Sequence, residues 1–335
     1  MTKTAEKMNN NALLSVCIPT FNRADLLLRT LKSIPDHPEI EIIVTDNSTN
    51  SISKAVVEKT LGYYATKWIY HKNNFPADWP GSRLMVENFN QGIRLASGEY
   101  ICYIHDDDFL YPSGLYKILN KLRTENKDVF MFGINLVDFQ GNRKRSQRAK
   151  KDAYYPPRKA LKKLLSNSSF VRFPAIIARK KAYDTVGYFD PAKKGPTDLD
   201  MWARIFSQYG VYHVSDVVAA YTIHDGAETM KTFNEGNISI LLDIFDDIES
   251  RKLLPPQDLY KSKSLFFHQF ILAGAYRILK KGKIREAGEI MNLFKMPPIR
   301  TLPAPIKWLP LKLLFSSLYV ATLGGKRNRI QQLEF

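Results

Sequence analysis

Strand-like and helix-like patterns alternate four times along residues 12–125, and this alternation constrains the fold more than any other feature. The first pair is an apolar run at Leu13–Pro19 followed by a helical pattern at Arg23–Ser33. Further strand-like runs, each after a helical segment, lie at Glu41–Thr45, Lys67–Tyr70 and Tyr100–Ile104. Such alternation predicts an α/β fold with a mostly parallel, doubly wound sheet. Ligands bind at the carboxyl edge of such sheets.

Beyond residue 125 the patterns are less regular. Strand-like runs lie at Val129–Ile134, Phe173–Ala178, Val211 and Val218. A helix is predicted to open near Asp198, and from Asn237 onward only helical patterns remain, interrupted by prolines. We therefore predict an α/β domain over residues 1–236 and a helical C-terminal region over residues 237–335.

Composition excludes several classes of protein. A chain of 335 residues with 44% hydrophobic content can bury a large core, so a disordered chain is not expected. The two cysteines, Cys17 and Cys102, fall in predicted buried strands without metal-binding spacing, which favours reduced core residues in a cytoplasmic protein. The N-terminal segment lacks an apolar secretion signal, and no apolar run is long enough to span a bilayer.

Positive charge is concentrated in two regions of a chain whose net charge is +16. Residues 141–163 carry ten Lys or Arg against one acid, and residues 251–335 carry sixteen against four. Such regions attract nucleic acid, nucleotide phosphates or an acidic membrane surface. Charge alone does not distinguish these partners.

Three consecutive carboxylates, Asp106 to Asp108, follow the strand at Tyr100–Ile104 and precede a helix whose predicted N-cap is Ser113. One interpretation is a solvated acidic turn. The other is a site for Mg²⁺ or Mn²⁺, which prefer carboxylate oxygen. Phosphate-binding glycine motifs are absent from the sequence, which argues against a dinucleotide oxidoreductase or a P-loop enzyme.

Polar groups also follow the first two strands. Residues 19–22 (PTFN) follow the first strand and Asp46 follows the second. Because the carboxyl ends of parallel strands share one edge, these groups are expected to converge with the acidic triplet.

The chain resembles the family 2 glycosyltransferases of the nucleotide-binding GT-A type. The matching segments occur in the family's order over about residues 13–230 and read SVCIPTFNRADLL, EIIVTDNS, ENFNQGIRLASGEYICYIHDDDFLYP, VGYFDP, PTDLDMWARI and YTIHDG. The resemblance implies a GT-A fold in which residues 12–125 bind the nucleotide and residues 126–236 bind the acceptor.

The resemblance also implies roles for individual residues. The residues implied to bind the nucleotide-sugar donor are Pro19, Thr20, Phe21, Asn22, Asp46, Arg83, Asn88 and Asp106. A Mn²⁺ or Mg²⁺ ion would be held by Asp107, Asp108 and His224, with His105 behind these ligands. An Asx-turn is the alternative for Asp46, and a structural histidine is the alternative for His224.

Asp198 is implied to be the general base that accepts the proton of the acceptor hydroxyl, in a displacement that inverts the anomeric configuration. Two alternatives remain. Asp198 could simply cap the helix that carries Met201, Trp202 and Ile205, or the neighbouring Asp200 could be the base.

After Pro305 the sequence mixes apolar residues with a basic rim, in the stretch IKWLPLKLLFSSLYVATLGGKRNR. An interfacial helix on an anionic membrane fits this pattern, and a helix packed on the protein's own core is the alternative. With the basic loop, the pattern favours a lipid-linked acceptor and a cytoplasmic protein peripheral to the inner face of the cell membrane.

The sequence thus predicts a metal-dependent inverting glycosyltransferase. It would move a sugar from a UDP-sugar to a hydroxyl of a glycan or lipid-linked acceptor in cell-surface polysaccharide assembly. A catalytically inactive scaffold is one alternative, because His105 and Thr197 stand where the family has acids. A nucleic-acid-binding protein is the other, suggested by charge and by Tyr154 and Tyr155. No recognition motif supports it, so no nucleic acid is expected.

Overall fold

The computed structural model describes residues 12–224 and 232–317. Within them the chain forms two compact units. The first comprises residues 12–156 and 171–224, and the second comprises residues 157–170 together with the described residues after 231. Residues 157–170 join the second unit, which the sequence patterns did not indicate.

The first unit begins with a parallel sheet of four strands. These are β1 (Leu14–Thr20), β2 (Ile40–Asp46), β3 (Lys67–Lys72) and β4 (Tyr100–Tyr103), in the spatial order β3-β2-β1-β4. The helices between them are α1 (Ala24–Lys32), α2 (Ile52–Leu61) and α3 (Gly81–Leu95). Strands β1, β2 and β4 are buried along their whole length, as is usual for parallel strands covered by helices.

A mixed sheet continues from β4. Its elements in chain order, of which α5 lies in the second unit, are β5 (Phe109–Leu110), α4 (Pro112–Thr124), β6 (Val129–Val137), β7 (Arg143–Gln147), β8 (Ala153–Tyr155), α5 (Pro157–Leu165), β9 (Ile176–Arg179), α6 (Lys180–Val186), α7 (Thr197–Tyr209) and β10 (Val211–Thr222). The spatial order continues β4-β9-β6-β10-β5, with β7 beside β6 and β8 beside β10. Strand β9 is antiparallel to both neighbours, and β10 is parallel to β6. The predicted α/β fold class is confirmed.

The two strands predicted near Val211 and Val218 are in fact one strand, β10. Its pairing with β6 shifts register between His213 and Val217. The polar residues at that irregularity, Ser215 and Asp216, interrupt the apolar pattern without ending the strand.

Two further local predictions were wrong. Phe173–Ala175 is a turn of 3-10 helix, and only the residues after it belong to β9. Ser113 lies inside α4, which begins at Pro112 with Tyr111 as its N-cap residue. A proline suits the first helical position because its φ is already helical and it has no N–H to leave unpaired.

Both cysteines are free thiols in the core, as predicted. Burial raises the pKa of the Cys102 thiol to about 12, and it also raises the pKa of Cys17. Both side chains therefore stay protonated and unreactive at neutral pH.

The second unit is helical. Besides α5 it contains α8 (Glu235–Ser250), α9 (Pro256–Leu279), α10 (Ile284–Met291), α11 (Pro297–Arg300) and helical residues 309–317. Phe245 of α8 packs on Phe266 and Phe267 of α9 with ring centroids 5.5 Å apart. Lys162 Nζ lies 2.6 Å from Asp258 Oδ1, which ties α5 to α9. Among the described residues, every helix is too short or too polar to cross a bilayer.

Candidate active site

The acidic triplet lies where the carboxyl ends of β1, β2 and β4 meet. Asp106 to Asp108 follow β4, and Thr20 of β1 lies opposite Asp46 of β2 in the parallel register. Thr20 Oγ1 donates a hydrogen bond to Asp106 Oδ2 (2.8 Å), which joins two of these strand ends. The structure therefore brings together the strand-end groups as the alternation predicts.

The loop after β1 is held against the loop after β2. Asn22 has a φ of 54°, in the left-handed region that asparagine tolerates better than most residues. Its backbone N–H donates to Ser48 Oγ (2.7 Å), and its Oδ1 accepts from Thr49 N (2.9 Å). Phe21 beside it is 55% exposed, so its ring is accessible at this edge, whereas Pro19 lies within buried β1.

Asp46 is fully buried and already engaged. Its Oδ1 accepts from Ser48 N (2.6 Å), which is the Asx-turn considered as the alternative. Its Oδ2 accepts from Tyr70 Oη (2.6 Å), and Lys72 Nζ lies 3.7 Å away. These contacts fix the carboxylate at the end of β2.

Two predicted donor-side residues of α3 have different surroundings. Asn88 is buried, its Nδ2 donates to Thr20 O (3.3 Å), and its Oδ1 accepts from Asn73 Nδ2 (2.7 Å). Arg83 is exposed, and its guanidinium lies 3.8 Å from the centroid of the Trp79 ring. Asn88 thus contacts the end of β1, whereas Arg83 stacks at the surface.

Basic side chains contact the first two carboxylates of the triplet. Arg23 Nη1 lies 3.3 Å from Asp106 Oδ1 and 3.0 Å from Asp107 Oδ2. His224 Nε2 also lies 3.0 Å from Asp107 Oδ2. His224, singled out from the sequence, is therefore in contact with the triplet.

Backbone and arginine contacts hold the third carboxylate. Asp108 Oδ1 accepts from Thr222 N of β10 (2.8 Å). Arg29 of α1 donates to Thr222 Oγ1 (3.0 Å) and to the carbonyl of Asp107. The triplet is thus fastened to α1 on one side and to β10 on the other.

The three carboxyls have different proton affinities. Burial and the neighbouring Asp107 raise the pKa of Asp106 to about 6, and the same two causes raise the pKa of Asp108. Burial alone would raise the pKa of Asp107, but His105 and His224 lower it below its usual value. Negative charge is therefore concentrated on Asp107.

Asp107, Asp108 and His105 offer ligand atoms that all lie within 4.8 Å of one another. Two buried polar atoms of this group, His105 Nε2 and Asp108 Oδ2, have no hydrogen-bond partner. Burial lowers the pKa of His105, which favours the neutral ring whose nitrogen lone pair can bind a metal. Buried polar atoms are rarely left unpaired, so two orphans beside an ionised carboxylate fit a divalent cation.

His105 was expected to lie behind the metal ligands, yet the structure groups it with Asp107 and Asp108. Its ring stacks on Phe89 with centroids 5.6 Å apart and an interplanar angle of 6°. Phe173 also packs against this ring, with centroids 4.4 Å apart. The two rings fix the imidazole orientation, a constraint that no local pattern in the sequence encodes.

An aromatic wall, formed by Phe89, His105, Phe173, Phe189 and Trp202, connects the acidic triplet to α7. Phe173 packs on Phe189 (5.9 Å between centroids) and on Trp202 of α7 (5.7 Å). Asn90 supports the wall, since its side chain exchanges two 2.9 Å hydrogen bonds with the backbone of Phe189. Asn90 thus has a structural role in this wall.

Asp198 is half-buried in the first turn of α7, one turn before Trp202. The helix has no side-chain cap at its N-cap residue, Pro196, and Asp198 Oδ1 accepts a hydrogen bond from Leu199 N (2.7 Å). Burial raises the pKa of the Asp198 carboxyl. A raised pKa makes this carboxylate a stronger proton acceptor than an exposed aspartate.

Asp200, the alternative base, is committed to a structural ion pair. It is 9% exposed, and its Oδ2 lies 2.8 Å from Arg204 Nη2. Arg204 in turn donates to the carbonyls of Val186, Gly187 and Tyr188. This network secures the start of α7 and leaves Asp198 as the carboxylate available for chemistry.

Comparison with known proteins agrees with this geometry. The model of Glycosyl transferase family 2 matches residues 15–187, which is more than half of the chain. The matched region contains the acidic triplet but ends before Asp198.

Two curated relatives extend the similarity. An uncharacterized glycosyltransferase of Rickettsia typhi is 27% identical over 285 residues, covering 82% of each chain. The GalNAc(5)-diNAcBac-PP-undecaprenol beta-1,3-glucosyltransferase of Campylobacter jejuni is 26% identical over 232 residues, covering 68% of this chain and 67% of the relative.

Among solved structures, S. aureus TarS 1-349 in complex with UDP-GlcNAc superposes with a TM-score of 0.63. The sequences are 17% identical, and the match covers 92% of this chain and 88% of TarS 1-349. This likeness shows that the two proteins share a fold.

Proposed function

Because this chain belongs to glycosyl transferase family 2, and is therefore a glycosyltransferase, we propose that it moves a sugar from a UDP-sugar to a hydroxyl of a lipid-linked glycan. The observation that carries the proposal is the group formed by His105, Asp107 and Asp108 at the carboxyl edge of the sheet. In our proposal residues 12–125 bind the donor and residues 126–236 bind the acceptor, while the described residues after 236 belong to a separate helical unit.

Asp107, Asp108 and His105 would hold a Mn²⁺ or Mg²⁺ ion, and His224 remains a candidate ligand because it contacts Asp107. The ion would offset the negative charge that develops on the departing nucleoside diphosphate. Asp106, tied to Thr20 and Arg23, lies at the side where β1 and β2 end and would contact the donor. The strand-end loops that carry Phe21, Asn22 and Asp46 would enclose the nucleotide.

Asp198 would act as the base. Its carboxylate would accept the proton of the acceptor hydroxyl as that oxygen attacks the anomeric carbon and the bond to the diphosphate breaks. A direct displacement of this kind inverts the anomeric configuration. The aromatic wall would keep the base at a fixed position relative to the acidic triplet.

The choice of UDP rests on the TarS complex with UDP-GlcNAc, and the choice of a lipid-linked acceptor rests on the Campylobacter relative. The same relative supports a role in glycan or polysaccharide assembly.

A donor panel tests the proposed reaction. The protein incubated with Mn²⁺ should slowly release nucleotide from UDP-GlcNAc or UDP-glucose, and EDTA should stop the release. GDP-mannose serves as the control for nucleotide selectivity. If no nucleotide sugar is consumed and UDP does not bind, the proposed function is wrong.

We also propose that the C-terminal part of the second unit contacts an anionic membrane. Four apolar side chains are exposed there, namely Ile306 (89%), Leu309 (41%), Leu313 (59%) and Leu314 (54%). The helix at 309–317 instead turns Phe315 and Lys312 inward, and Lys312 Nζ lies 3.3 Å from His268 Nε2. Outward leucines with nearby basic residues are typical of a helix that lies in a membrane interface.

Replacing both Leu309 and Leu313 by glutamate should strongly weaken this membrane contact. Each leucine loses apolar burial and gains a charge repelled by anionic lipid, so we expect at least about a tenfold drop in binding. Co-sedimentation with phosphatidylglycerol vesicles measures it. Tyr63→Glu, at an exposed position of the first unit, is the matched control and should bind like wild type. Wild-type protein that stays in the supernatant at moderate salt would contradict the proposal.

A further inference from the structure

Arg172 is a guanidinium without a counter-ion in the described part of the chain. It directly precedes the 3-10 turn Phe173–Ala175, and its guanidinium lies 5.2 Å from the centroid of the Tyr221 ring. Its Nε is buried and has no hydrogen-bond partner. Neither an ion pair nor a side-chain hydrogen bond engages it among residues 12–224 and 232–317.

A buried guanidinium without a hydrogen-bonded counter-ion destabilises the folded protein unless an anion binds to it. Burial and the nearby Arg145 lower the pKa of Arg172, while Tyr221, Asp198 and Asp108 raise it. The guanidinium nevertheless stays charged, because no protein environment of this kind deprotonates arginine at neutral pH. Partly buried charges are usually paired, so the unpaired state suggests that an anion from outside the chain completes the site.

The sheet register brings a second arginine to the same face. Tyr221 of β10 pairs with Leu136 of β6, and Leu136 pairs with Arg145 of β7. Residues directly opposite each other on neighbouring strands project to the same face of a sheet. Arg145 and Tyr221, whose ring contacts the Arg172 guanidinium, therefore share one face of the sheet. The Arg145 side chain is exposed there.

This face adjoins the reaction centre. Phe173, the residue after Arg172, contacts His105, which is grouped with Asp107 and Asp108. It also contacts Trp202, which lies one helical turn after Asp198 in α7. Arg172 interacts more strongly with Asp198 than with Asp108, so it lies on the side of the base, whereas Arg23 is the arginine that contacts Asp106 and Asp107. An anion held by Arg172 would therefore belong to the acceptor and not to the donor diphosphate.

We propose that Arg172 and Arg145 bind an oxyanion of the acceptor, a phosphate or a carboxylate within about one sugar unit of the reacting hydroxyl. The guanidinium fork suits both groups, because it can donate two parallel hydrogen bonds to either. The inference rests on the proposed function, since the position of the hydroxyl is defined by Asp198. It narrows the acceptor to an anionic glycan or a phosphate-linked one.

Small-molecule binding to the full chain saturated with UDP and Mn²⁺ tests the proposal, because the donor site is then already filled. The probes are glycerol 3-phosphate, methyl glucuronide and, as the neutral control, methyl glucoside. We expect at least one anion to bind by calorimetry about tenfold more tightly than methyl glucoside. The stronger anion identifies phosphate or carboxylate as the acceptor group.

Variants connect the binding to the two arginines. Arg172→Ala should weaken anion binding about tenfold or more, and Arg172→Lys should recover part of it because charge is retained without the fork. Arg145→Ala should also weaken anion binding. Because Arg145 is exposed, this variant should fold, and it tests the site even if Arg172→Ala does not fold. Arg143→Ala, an exposed arginine of the same strand, is the charge-matched control and should bind like wild type.

The outcomes separate the two proposals. If wild type binds UDP but the anions bind equally to wild type, Arg172→Ala and Arg145→Ala, the oxyanion site is wrong and the proposed function stands. Equal binding of methyl glucoside and both anions overturns it as well. If wild type does not bind UDP, the proposed function itself fails.

Discussion

Substituting Asp198 with asparagine should slow sugar transfer by a factor on the order of 10² to 10⁴, the usual contribution of a positioned general base. An amide cannot accept the acceptor's proton. Its oxygen can still accept the hydrogen bond that Asp198 Oδ1 receives from Leu199 N, so α7 should start as before. Nucleotide affinity and thermal stability should therefore change little, and single-turnover transfer assays measure the loss.

The pH profile gives a second readout of the same base. The carboxylate must be ionised to accept a proton, so transfer by wild type should rise as pH rises through the pKa of Asp198. Burial raises that pKa, which moves the rise above the range of an exposed aspartate. The Asp198→Asn profile should lack this rise.

Asp200→Asn is the matched control for position. Because Asp200 pairs with Arg204, its loss should lower the melting temperature and leave the pH dependence of transfer intact. Normal transfer by Asp198→Asn would place the base elsewhere. Unfolding of that variant would instead support the interpretation of Asp198 as a helix-capping residue.

The second large effect is expected at Asp107. Mn²⁺ should tighten UDP binding to wild type on the order of 10²-fold relative to EDTA, because a divalent ion contributes several kcal/mol of charge stabilisation. Asp107→Ala should lose this difference, since Asp107 is the carboxyl of the triplet whose pKa is lowered and which therefore carries the negative charge. Isothermal calorimetry with and without metal measures both proteins.

Two histidine variants refine the ligand set. His105→Phe keeps an aromatic ring against Phe89 and Phe173 but removes the orphaned Nε2, so it should weaken Mn²⁺-dependent UDP binding without unfolding the protein. His224→Gln tests the ligand predicted from the sequence. Equal UDP affinity with Mn²⁺ and with EDTA in wild type would remove the ion from the mechanism.

The sequence predicted the first four strands and the helices between them well, because the patterns that specify them are local and periodic. Strands β1 to β4 are buried runs separated by helices, and that alternation alone puts Thr20, Asp46 and the acidic triplet at one edge. The family resemblance then supplied roles that periodicity cannot. The parts of the site that follow from parallel-sheet geometry were therefore predictable.

The rest depends on contacts between segments distant in the chain. His105 joins Asp107 and Asp108 in the candidate metal site because Phe89 and Phe173 fix its ring, and neither neighbour is near it in sequence. Arg172 gains its significance from Tyr221, which lies on a strand that the patterns divided in two. Arg145 looked like one of many charges in a basic loop, and only the register of β7 distinguishes it.

Strand β7 is paired on one side only, with β6, in the described part of the sheet. The backbone groups along its other side could pair with a strand of a second chain, which is a common route to aggregation. Arg143, Lys144 and Arg145 are all exposed along it, and like charges on two such edges repel each other. The cations of β7 therefore also oppose self-association of the enzyme. A variant in which all three are replaced by neutral residues should aggregate more readily and bind anions more weakly.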